Sequence, residues 1–217
     1  MTAAAAATAA SDHRFAVVIA WLVGANALDS APTSIGATRL ELVERARSGD
    51  PDAFEALIRA VGDHLLAVAR KILRDPDAAE DALQQAVIRS WRNLPHLRDP
   101  ARFDQWLYRI LVLSCYAEAN RRRRYAGQVH LLDLEPSVDD SAGAFADRDA
   151  LERAFTVLTP THRAVVVLHF FAGLPLAEVA EVLGIRAGTA RSRLHYALRA
   201  LRASLEALDR GSSGGAR

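Results

Sequence analysis

Leu174-Pro-Leu-Ala-Glu-Val-Ala-Glu-Val-Leu-Gly-Ile-Arg-Ala-Gly-Thr-Ala-Arg-Ser-Arg-Leu-His-Tyr-Ala-Leu198 is the stretch that decides the fold. It predicts two short helices around a glycine turn. Val179, Ala180 and Leu183 recur at helical spacing on the first, and Gly184 supplies the left-handed residue that ends it. On the second, Ala190, Leu194, Ala197, Leu198 and Leu201 share an inner face. Thr189, Arg191, Ser192, Arg193, His195 and Tyr196 are left on or near the open one. Arginines, hydroxyls and an imidazole so placed can donate to phosphates and to base edges in a major groove. The pair therefore reads as a helix-turn-helix. Taken alone, the segment also fits an ordinary helical hairpin with a solvated arginine face. The remainder of the chain weighs against that.

The 217 residues suffice for one or two domains, and with 51% hydrophobic residues most of the chain should fold. A single cysteine, Cys115, excludes a disulfide framework and any cysteine-based zinc site within the chain, and reads as a small buried hydrophobe. The net charge of +1 conceals a segregation. Residues 1–88 carry −4, residues 89–124 carry +6, residues 125–152 carry −6 and residues 153–217 carry +5. Two basic blocks separated by an acidic one suit two surfaces for a polyanion and a connector that avoids it. His64, Cys115 and His169 are scattered, and there is no glycine-rich phosphate loop and no metal-ligand spacing. No enzyme activity, catalytic residue, cofactor or metal site is expected.

Residues 1–38 differ from the rest. An alanine-rich start leads into Phe15–Leu28, an apolar run of 14 residues with only Arg14 as positive charge ahead of it. That is short for a membrane span and faint as a signal peptide. A disordered or loosely helical extension is expected, with a weak membrane or partner anchor as the lesser alternative. From Arg39 the helical period takes over. Asp50-Pro51, Asp75-Pro76, Asp99-Pro100 and Thr159-Pro160 each place a capping oxygen before a proline at the first helical position. Phe54, Leu57, Ile58, Val61, Leu65, Val68, Ala69 and Ile72 form the stripe of one helix. Ala79, Leu83, Ala86, Val87, Trp91 and Leu94 form that of the next. The third carries Phe103, Trp106, Leu107, Ile110, Leu111 and Ser114, and ends in Arg121-Arg-Arg-Arg124. Val165-Val-Val-Leu168 could be a strand, but its Thr-Pro opening predicts helix. Residues 125–150, with six acidic side chains, read as a flexible linker, and 209–217 as a disordered tail. The expected fold is all-α: two small helical domains, 39–124 and 151–208, joined by that linker.

In the third helix, aromatic surface lies beside positive charge, as single-stranded DNA binding requires. Phe103 is expected in the core, while Trp106 stands between core and surface. With these residues in place, the chain resembles a bacterial sigma factor of the extracytoplasmic-function type, which has only regions two and four. The resemblance covers residues 39–208. Ala79–Trp91 is similar to the family's polymerase-binding helix, implying core contacts by Glu80, Asp81, Gln84, Gln85, Arg89 and Trp91. Phe103–Tyr116 resembles the helix that opens the minus-ten element. This implies roles for Arg98, Arg102, Trp106, Arg109, Leu113, Arg121, Arg122, Arg123 and Arg124. Leu158–Arg163 and the helix-turn-helix resemble region four, implying minus-thirty-five contacts by Thr189, Arg191, Ser192, Arg193, His195 and Tyr196. The sequence departs from the family's usual pattern at Gln85, Val87, Leu113 and Ala117. Leu113 stands where an asparagine commonly lines the pocket for a flipped base, which places the minus-ten preference in question. The implied partners are core RNA polymerase, promoter DNA and an anti-sigma factor in the cytoplasm, with no small-molecule substrate. The competing function is a stand-alone helix-turn-helix regulator that acts without polymerase.

Overall fold

The computed structural model describes residues 34–128 and 153–213, and their side chains over 39–125 and 153–207. The apolar run Phe15–Leu28, nearly all of the expected linker and the last four residues of the tail lie outside the described residues. The described part is helical, with no strand. In chain order the helices are α1 (Ser34–Arg47), α2 (Pro51–Leu73), α3 (Pro76–Asn93) and α4 (Phe103–Gln128), then α5 (Pro160–Val166), α6 (Leu176–Leu183) and α7 (Ala187–Ser213). Two 3-10 turns, Leu94–His96 and Pro100–Arg102, join α3 to α4, and a π-helical stretch, Val167–Phe171, extends α5.

The Asp-Pro starts behave as their chemistry requires. The Asp50 carboxylate accepts from the backbone N–H groups of Asp52 and Ala53, and its other oxygen accepts from Arg45 at 2.6 Å. Its carboxyl is held below the ordinary value, first by the Ala53 amide and then by Arg45. Asp75 caps α3 through Ala78, Asp99 caps the second 3-10 turn through Ala101, and Thr159 caps α5 through His162. Val165–Leu168 is helical and fully buried, with no strand partner. Gly184 closes α6 at φ +65°.

Helices α1 to α4 form one bundle, in which α3 packs along α4 more extensively than any other pair. The seam of α3 is small. Ala78, Ala79, Ala82, Ala86 and Ser90 are buried, whereas Leu83 and Val87 are only half-buried and Trp91 is exposed. The expected stripe is thus rotated toward its alanines, because residues without bulk let α4 approach closely. Helices α5 to α7 form the second unit around Val165, Val167, Leu168, Phe171, Val179, Ala197, Leu201 and Leu205.

The two units touch. Helix α4 packs on α6, and α2 packs on α5 and on the π-helical stretch. At that contact the His64 ring stacks on Phe171, with centroids 5.0 Å apart and planes 4° from parallel. Arg163, 9% exposed, donates from Nε to the Ile72 carbonyl at 2.6 Å, capping the end of α2 from the other unit. Helix α1 begins at Ser34, ahead of the expected start at Arg39. Arg39 itself belongs to the bundle, pairing with Asp104 and lying 6.0 Å from the Phe103 ring.

Candidate nucleic-acid interface

Helix α3 turns its alanine seam inward, so Glu80, Asp81, Gln84, Gln85, Arg89 and Trp91 all stand outward, as the sequence implies. Two of them have partners within the chain. Arg70 donates to Glu80 at 3.0 Å, and Arg121 donates to Asp81 at 2.9 Å. Trp91 leans on Phe54, with ring centroids 5.0 Å apart. Ile88, which the sequence reading passed over, is 38% exposed one turn before Trp91 at 37%. The signal was available in the spacing. Gln84, Ile88 and Trp91 share one side of the helix, opposite Ala82, Ala86 and Ser90.

Helix α4 carries the second group. Phe103 is core and Trp106 is half-buried, its ring 5.8 Å from that of Phe103. Leu97, Arg98, Asp99, Arg102, Gln105, Trp106 and Arg109 line a cavity of about 310 Å³, with Glu181 and Val182 of α6 on its far side. Arg98, Arg102, Trp106 and Arg109 therefore come together. Leu113 lies one turn beyond Arg109, is 49% exposed and does not line this cavity.

The terminal arginine run divides. Glu118, 7% exposed, accepts from Arg121 at 2.7 Å and from Arg122 at 3.0 Å. Arg121 also reaches Asp81, and Arg122 reaches the capping carboxylate of Asp75. Both arginines thus bind α4 to α3, while Arg123 and Arg124 are exposed on the outer side. The hydrogen bond from Arg121 is the first cause holding the Glu118 carboxyl below its ordinary value. Cys115 is fully buried, and burial pushes its thiol up to about 12, which fits the small-hydrophobe reading.

On α7, Arg191, Ser192, His195 and Tyr196 are exposed, with Tyr196 at 60%. Thr189 is half-buried, and its carbonyl accepts from the Ser192 hydroxyl at 3.0 Å. Arg193 is half-buried and sits near enough to Tyr116 of α4 to oppose the burial that raises that phenol to about 12. The open face is therefore narrower than the sequence implies. Arg186, exposed immediately before the first turn of α7, was missed; its place at a helix N-terminus was the available signal.

Among the described residues no group of acidic, histidine or cysteine side chains could hold a metal ion, and no helix is long and apolar enough to cross a membrane. Known families account for both units. Residues 57–125 match the family described as sigma-70 region 2, and residues 154–203 match sigma-70, region 4. The RNA polymerase sigma-E factor of Streptomyces avermitilis is 37% identical over 162 residues, spanning 74% of this chain and 89% of that protein. The chain belongs to the extracytoplasmic-function sigma factors of the sigma-70 family. A second relative, the sigma factor SigL of Mycobacterium tuberculosis, is 35% identical over 170 residues, covering 74% of this chain and 96% of its own.

Two solved structures share the fold. RpoE of Bartonella quintana, in complex with the anti-sigma factor NepR, has a TM-score of 0.60 at 23% identity, covering 70% of this chain and 96% of that one. CnrH, in complex with the cytosolic domain of CnrY, has a TM-score of 0.57 at 24% identity, covering 78% and 97%. As a sigma factor, the protein binds core RNA polymerase, directs it to promoters and assists strand opening. Sigma factors are initiation subunits without catalysis of their own, and the stand-alone regulator gives way to this function.

Proposed function

We propose that the three surfaces divide the work of initiation. The outer face of α3 docks on core polymerase through Gln84, Gln85, Ile88, Arg89 and Trp91. The α4 face, with Arg98, Arg102, Trp106 and Arg109, takes the opened minus-ten strand, and α7 reads the minus-thirty-five duplex through Arg191, Ser192, His195 and Tyr196.

The observation that carries this reading is the split of α3. One side is an alanine seam, and the other leaves Ile88 and Trp91 exposed among amides and charges. An apolar pair with a polar rim is the pattern of a protein-protein anchor. Asp81 and Glu80 are secondary in this scheme, because each already has an arginine partner within the chain, Arg121 and Arg70.

The test is competition for core polymerase by Ile88→Glu combined with Gln84→Ala. Both positions are exposed, so the fold should persist, and a charge set into an apolar anchor should weaken binding by at least tenfold, about 1.4 kcal/mol. Competition at wild-type strength by a folded variant would remove α3 from the interface. An anti-sigma factor as a partner, and the cytoplasm as the compartment, complete the proposal. Support for that partner comes from the complex of RpoE with NepR, whose fold this chain shares.

A further inference from the structure

The exposed arc of α7 has two edges, and each carries a side chain of different chemistry. Successive helical residues turn by about 100°, so Arg191 and Tyr196, both exposed, stand about 140° apart around the axis. Beyond Arg191 the surface closes at Leu194 and Leu198, and beyond Tyr196 it closes at Thr189 and Arg193, each half-buried. Between the edges lie Gly188, Ser192 and His195, all exposed. Nothing stands within 4 Å of a Cβ added at Gly188, so the middle row begins without a side chain and the first turn of α7 can sit low in a groove. The Tyr196 ring meets that of His195 edge to face, with centroids 5.8 Å apart and planes at 68°.

We propose that α7 reads the two strands of its duplex from its two edges. Arg191 takes a guanine in one strand, and the Tyr196 ring takes the methyl group of a thymine in the opposite strand, about two base pairs further on. The inference rests on α7 being the helix that enters the minus-thirty-five duplex. A helix with its side chains fills the major groove, about 12 Å wide, so its middle row faces the floor and its edges face opposite walls. A guanidinium, with donors only, matches the O6 and N7 acceptors of guanine. The thymine methyl is the only methyl group that a base pair sets in that groove, and it lies toward its own strand, where a phenol ring offers it carbon. The spacing follows from the rise. The step from Arg191 to Tyr196 advances about 7.5 Å along α7, against about 3.4 Å from one base to the next.

For the test, the upstream block is first selected from randomised promoters with core polymerase and the full chain. Each guanine of the selected block is then replaced singly by 7-deazaguanine, which lacks N7, and each thymine by deoxyuridine, which lacks only the methyl group. Polymerase loaded with wild type, Arg191→Ala, Tyr196→Phe or Tyr196→Ala is measured by competition against the unmodified template. The two positions are exposed, so the fold should persist in every variant.

One deoxyuridine, opposite in strand to the sensitive guanine and about two base pairs from it, should weaken wild type and Tyr196→Phe by about fourfold, the worth of one buried methyl group. Tyr196→Ala should bind modified and unmodified templates alike. The 7-deazaguanine should cost wild type at least about fivefold and Arg191→Ala nothing, while Arg191→Ala keeps its response to deoxyuridine. A block without a thymine at that place, a response confined to the guanine's own strand, or one that survives Tyr196→Ala would overturn the inference. So would a Tyr196→Phe protein weakened equally on every template, since the hydroxyl would then be holding a phosphate. A library that yields no upstream block defeats the proposed function of α7 and this inference together, whereas a block without a methyl response defeats the inference alone.

Discussion

Glu118 is the carboxylate around which the basic end of α4 is organised, buried while the arginines it holds reach solvent. Replacing it by glutamine removes the charge that the two guanidinium groups share and sets an amide NH2 where one of the two acceptor oxygens stood. Loss of the charge assistance at a buried site, with a donor set against a donor, should cost about 1–3 kcal/mol, read as a lower denaturation midpoint. Because the folded carboxyl sits below its ordinary 4.5, its contribution is complete above that pH and is lost as pH falls through the folded value. Glu118→Gln should therefore lack that acid-side loss. His64 has the same sign for a different reason. Burial against Phe171 and Tyr108 lowers its imidazole below 6.5, so the unfolded chain takes the proton first and stability declines as pH falls past that value. His64→Phe keeps a ring on Phe171 and removes the titration. Its midpoint should change less than that of wild type between neutral and mildly acid pH; parallel curves would show that His64 does not couple to the fold. The arginine run was legible in the sequence as positive charge. That Arg121 and Arg122 spend theirs on Asp81, Asp75 and Glu118 was not, since the partners of Arg121 and Arg122 on α3 lie 40 and 47 residues away.

Element boundaries were the most legible part of the chain. Each Asp-Pro or Thr-Pro start became a capped helix, because the cap and the ring act within one turn. The seam of α3 was read less well. Leu83, Val87 and Trp91 have the helical period as well as the alanines do, and only the closeness of α4 decides between the two registers. The turn of the helix-turn-helix gives a paired prediction. Gly184 has φ +65°, and a Cβ there would press on the Arg109 guanidinium, so Gly184→Ala should destabilise by about 1–2 kcal/mol. Gly188 lies within α7 with nothing inside 4 Å of an added Cβ, so Gly188→Ala should stabilise by about 0.4–1 kcal/mol. Thermal unfolding of the two variants checks both signs. A Gly184→Ala protein as stable as wild type would mean that α6 ends in some other way.

Over the whole molecule, the order of charge blocks and helices was visible in the sequence, and so was the family. The contact between the two units was not, because it depends on single side chains such as Gln105, Arg109 and Arg163 meeting partners 72 to 91 residues distant. No local periodicity encodes such a meeting. On the proposed division of labour, polymerase, an opened strand and a duplex each meet a surface of their own. That division is tested most directly by transcription in vitro with core polymerase on a library of randomised promoters, followed by sequencing of the templates that yield transcript. Transcripts above the level of core alone are expected, from templates enriched in two separated sequence blocks. With Arg191→Ala, the upstream block should lose about 1–3 kcal/mol of base discrimination while the downstream block stays intact. Transcription no higher than that of core alone, from a protein that still binds a specific duplex without polymerase, would contradict it.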